Sequence, residues 1–104
     1  MNITIINDAN KATLLLEGWL DTEAAPMLGN EIEKIDGIEE IVIDFDKVEY
    51  MSSSGLRQII AANKKAKSQG AILTLINVHS EIMNIFTLTS MDKKLTIKAA
   101  GETV

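Results

Sequence analysis

Cysteine is absent, which excludes disulfide frameworks, thiolate metal sites and thiol nucleophiles. Long apolar runs are absent too. Ile41 to Ile43 and Ala71 to Leu73 fall far short of the roughly 20 residues that span a bilayer, so no membrane insertion is expected. Met1 to Ile6 lack the basic start and apolar stretch of a secretory signal, and the expected location is cytoplasmic. Positive charge is not in excess, and a net charge of −5 argues against binding nucleic acid through its phosphates. The glycines, at 18, 29, 37, 55, 70 and 101, form no Gly-x-Gly and precede no Gly-Lys-Ser/Thr, so no nucleotide cofactor is expected.

What is present suits one compact domain over residues 1–104, with 46% apolar side chains to build a single core. The charge is uneven. Residues 17–49 hold eleven carboxylates against Lys34 and Lys47, whereas residues 50–100 hold Glu81 and Asp92 against seven cations. Two readings follow: a surface suited to a charged protein partner, or two ordinary solvated faces.

Asn2 to Ile6 and Ala12 to Glu17 read as a hairpin around the turn-forming Asn7 to Lys11. Asp21-Thr22 can cap a first helix in which Ala25, Leu28, Ile32 and Ile35 recur at helical spacing, with Pro26 tolerated near its first turn and Gly37 past its end. Ile41 to Phe45 is a continuous apolar strand before a polar break, the pattern of a strand covered on both faces. A second helix presents Leu56, Ile59, Ile60 and Asn63 inward and Arg57, Lys64 and Lys67 outward, and closes at Gly70. Ala71 to Ile76 is a further strand. Ser80-Glu81 caps a third helix with Ile82, Ile85, Phe86 and Thr89 inward, and Leu95 to Ile97 forms an edge strand. The expectation is an α/β domain: a mixed four- to five-stranded sheet with helices packed against it.

Candidate chemistry is sparse. His79 is the lone histidine, and a capping or surface role outweighs that of ligand or base. Asp44 and Asp46 alternate at a strand end, where solvated turn carboxylates are commoner than cation sites. No metal is expected. Ser53 and Gly55 match the end of a Gly-x-Ser-x-Gly hydrolase elbow, but Met51 stands at the first glycine and His79 precedes Asp92 in the wrong order, so an enzyme is not expected. The remaining feature is Ser52-Ser53-Ser54 at a helix start. One serine suffices to cap a helix; three also offer a kinase a target beside free amides and the positive end of the helix dipole.

Asp44-Phe45-Asp46-Lys47-Val48-Glu49-Tyr50-Met51-Ser52-Ser53-Ser54-Gly55-Leu56 resembles the signature of the STAS family, which includes the bacterial anti-sigma factor antagonists. Glu17-Gly18-Trp19-Leu20-Asp21 is similar to the family's Gly-x-Leu-Asp before helix one. Leu75 to Val78 and Phe86 to Thr89 extend the likeness over nearly the whole chain.

The resemblance implies a phosphoserine at Ser53, with Ser52 as the alternative acceptor. It implies an anti-sigma factor that is an ATP-dependent serine kinase and a PP2C-type phosphatase as partners, with the unmodified antagonist binding the anti-sigma factor and freeing a sigma factor. Asp21, Ser52, Ser53, Ser54, Gly55 and Arg57 are then the expected partner-binding residues. Two positions depart from the pattern: Ser52 replaces the family Asp, and Thr89-Ser90 replaces Thr-Gly after helix three. Relatives without a working phosphoserine serve as scaffolds or transporter subunits, and this is the alternative reading.

Overall fold

The computed structural model describes residues 1–101. β1 (Asn2–Asp8) and β2 (Lys11–Leu20) form an antiparallel hairpin. There follow α1 (Ala24–Glu33), β3 (Glu40–Met51), α2 (Ser53–Ser68), β4 (Ile72–Val78), α3 (Ser80–Leu88), a 3-10 turn at Met91–Lys93 and β5 (Thr96–Ala99), so the order of the main elements is the expected one. The mixed sheet has five strands in the order β1-β2-β3-β4-β5, antiparallel between the first two and parallel thereafter.

Each parallel step moves one strand in the same direction, so right-handed crossovers lay all three helices on one face. The core follows suit. Leu14 and Leu16 of β2, Ile41, Ile43 and Phe45 of β3, and Leu73 and Leu75 of β4 cluster with Leu28 and Ile32 of α1, Ile59 of α2, and Ile82 and Phe86 of α3. Phe45 and Phe86 meet edge to face at 6.2 Å.

Four local expectations are corrected. β3 is covered by helices on one face only: Val42 is just 5% exposed, yet it lies outside the core cluster, shielded between its register neighbours Thr13 and Thr74. The polar stretch after Phe45 does not end the strand, which runs on beside β2 through register shifts, burying only Val48 and Met51. The inner stripe of α2 is Gly55, Ile59, Ala62 and Ala66, with Leu56, Ile60 and Asn63 half-buried at its flank, because small side chains let the helix lie close to the sheet. In α3 the cap position is His79 rather than Ser80, and Thr89 lies exposed past the end instead of facing inward.

Candidate partner-binding site

The serine cluster sits where β2 and β3, paired through Leu20 and Met51, run out together. Ser52 is the cap of α2, extended at φ −86° and ψ 173°. Its Oγ accepts a hydrogen bond from the Gly55 amide at 3.1 Å, and its own amide donates to the Leu20 carbonyl at 2.9 Å. The hydroxyl thus does neutrally what the family's carboxylate would do at a helix start. Gly55 is buried on the inner side. A Cβ there would fall onto the Leu20 carbonyl oxygen and 2.8 Å from Leu20 Cγ, so the glycine permits the close approach of α2 to β2.

With the cap supplied by Ser52, Ser53 occupies the first helical position, exposed and with no hydroxyl hydrogen bond among the described residues. Ser54 is half-buried; its Oγ accepts from Thr22 Oγ1 and from Arg57 Nη2, each at 3.4 Å, contacts at the weak end of hydrogen bonding. The Thr22 contact ties the turn before α1 to the start of α2. Asp21 holds that turn: its Oδ1 accepts from the Ala24 amide at 3.0 Å and its carbonyl from the Ala25 amide at 2.9 Å. Arg57 lies exposed one turn along α2. The expected residues therefore gather at one edge, where Ser52, Gly55 and Asp21 have structural duties and the Ser53 hydroxyl has no hydrogen-bond partner among the described residues.

His79 is engaged elsewhere, its Nε2 lying 3.0 Å from the Asp46 carbonyl and 3.3 Å from Asp46 Oδ1; no hydrogen bond joins it to the serines among the described residues. Asp44 Oδ1 accepts from the Asp46 amide at 2.9 Å and from Asn77 Nδ2 at 3.1 Å. These carboxylates tie the middle of β3 to the end of β4 and the cap of α3. Among the described residues no cluster of three or more His, Asp or Glu side chains has the geometry of a metal site.

One feature of this edge escaped the sequence reading. Trp19 and Tyr50, register partners on β2 and β3, stack tilted at 5.3 Å on the helix-free face and stay 58% and 45% exposed. Alternation along β2 carried the signal, since Leu20 points into the core and its neighbour Trp19 must point away. Such aromatics are favoured contacts in protein interfaces.

A five-stranded sheet covered on one face, with a serine-capped helix rising from the ends of its central strands, defines an α/β domain of the kind the sequence resembles. The STAS domain model matches residues 2–103, and the chain belongs to that family. Solved structures with the same fold include an anti-sigma factor antagonist from Mycobacterium paratuberculosis, 21% identical with a TM-score of 0.83 over 93% of this chain and 84% of that one. The phosphorylated form of the Bacillus cell fate determinant SpoIIAA is 15% identical, with a TM-score of 0.74 over 92% and 90%. A sulfate transporter family protein from Wolinella succinogenes is 12% identical, with a TM-score of 0.80 over 89% and 80%. At these identities the likeness is one of fold.

Proposed function

We propose that this chain is a cytoplasmic anti-sigma factor antagonist, a protein-binding module without catalytic activity that is switched by phosphorylation at Ser53. In its unmodified form it binds an anti-sigma factor with ATP-dependent serine kinase activity and so releases a sigma factor; a PP2C-type phosphatase restores that form. The single observation that carries the reading is the division of labour between adjacent serines: Ser52 is committed to the cap, while Ser53 is exposed with its hydroxyl unengaged.

The switch is electrostatic. A phosphate adds about −1.5 to −2 charges and three acceptor oxygens to a small neutral contact. Facing a carboxylate that a kinase uses as base, that dianion costs several kcal/mol, and about 3 kcal/mol weakens binding roughly a hundredfold. No refolding is needed, because the new oxygens face first-turn amides at the positive end of α2.

Phosphosite mapping of protein from its native cell, before and after phosphatase treatment, tests this. The expected result is one phosphate on Ser53. Ser53→Ala is expected to bind the kinase and resist phosphorylation, and Ser53→Asp, with less charge, to bind about tenfold more weakly. Phosphate on Ser52 alone would overturn the assignment. Absence of phosphate under every condition, with constitutive association, would favour a scaffold or transporter subunit, a reading kept by the replacement of the family's Asp at Ser52.

A further inference from the structure

The acidic and basic blocks of the sequence lie on different parts of the helical layer: α1 and its flanks carry carboxylates, α2 carries lysines, and the turn at Met91–Lys93 adds Lys93 and the following Lys94 beside Asp92. Between α2 and that turn lies a depression of about 300 Å³, lined by Ile60, Lys64, Lys67, Met91, Lys93 and Lys94, with Asn63 and Leu95 completing it. Four lysines and no acidic residue line it, with Asp92 in the adjoining turn outside the lining. None of the four lysines forms an ion pair among the described residues, whereas Lys34 and Lys65 are paired with Glu31 and Glu33. In a chain of net charge −5 this concentration of unneutralised cations runs against the average. Ile60, Met91 and Leu95 give it apolar surface between the charges.

The depression and the serine cluster share α2. At roughly 100° per residue, Ser53, Arg57, Ile60, Lys64 and Lys67 fall on one stripe of α2, and Lys64 stands roughly 16 Å along the axis from Ser53. A protein that touches Ser53 and follows the helix arrives at the lysines.

We propose that this groove docks an acidic segment bearing aliphatic side chains, supplied by the same partner protein that reads Ser53. Naming that partner rests on the function proposed above; the chemistry of the groove does not. The carboxylates pair with Lys64, Lys67, Lys93 and Lys94, and the aliphatic groups cover Ile60 and Met91. This second contact is constant, and phosphorylation acts on the first alone.

The probe is a fluorescein-labelled peptide of repeated Glu-Glu-Leu triplets, titrated into 15N-labelled protein at low salt. Amide shifts are expected to cluster at Ile60, Lys64, Lys67 and residues 91–95. Affinity is expected to fall at least about tenfold in Lys64→Glu/Lys67→Glu, and partly in the milder Lys64→Gln/Lys67→Gln, but not in Lys11→Glu/Lys47→Glu. Shifts scattered over all lysines, or an equal loss in the Lys11/Lys47 variant, would overturn the groove. In a second arm, a kinase isolated by its ability to phosphorylate the chain is expected to bind Lys64→Glu/Lys67→Glu at least about tenfold more weakly than wild type. Unchanged kinase binding would overturn the choice of occupant. Failure to find any such kinase counts against the Ser53 switch, while the peptide titration judges the groove independently.

Discussion

Two turns of this molecule depart from the pattern it resembles, and they do so differently. At the start of α2, Ser52 stands for an Asp and keeps the hydrogen bond to the Gly55 amide, so a change of chemistry leaves the geometry intact. After α3, Ser90 stands for a Gly and takes the glycine's backbone conformation, φ 61° and ψ 15°, so the geometry is kept at the cost of strain. A left-handed residue with a Cβ costs roughly 1–2 kcal/mol relative to ordinary conformations. In both places the fold dictates the backbone. A cap admits several oxygen-bearing side chains, whereas a left-handed turn favours one residue.

Three substitutions sharpen the contrast. The largest effect is expected from Gly55→Ala, whose Cβ would meet the Leu20 carbonyl oxygen, a backbone atom fixed by its bond from the Ser52 amide. Alanine's better helix propensity returns only about 1 kcal/mol, so a net loss of about 2–3 kcal/mol is expected in urea unfolding. Unchanged stability would show that α2 can lift from β2 freely. Ser52→Ala removes the cap and is expected to cost about 1 kcal/mol, a fall of roughly 4–8 °C in Tm. The smallest effect is a gain: Ser90→Gly relieves the left-handed Cβ but adds freedom to the unfolded chain, for a net stabilisation of about 0.5 kcal/mol. A Ser90→Gly variant less stable than wild type would break the comparison.

The order of the main elements was legible because apolar spacing and turn residues agree along the chain, as with Leu28 and Ile32 in α1 or Leu73 and Leu75 in β4. What was not legible depended on neighbours distant in sequence. Asp46 to Tyr50 read as a break because its polarity fits no strand period; pairing with β2 extends β3 regardless, with only Val48 buried within that stretch. The inner stripe of α2 was misread because Ala62 and Ala66 are weakly apolar, and only the proximity of the sheet selects them over Leu56 and Ile60. At the serine edge, the motif located the cluster, but the separate tasks of Ser52 and Ser53 follow from the Leu20 carbonyl and Gly55 amide meeting there.

The exposed indole of Trp19 gives this edge an optical reporter. It is the chain's sole tryptophan and adjoins Leu20, whose carbonyl anchors Ser52, so its emission arises beside the serine cluster and nowhere else. A protein settling over that edge would strip water from the ring and move the fluorescence to shorter wavelength, allowing occupancy to be followed in unlabelled material.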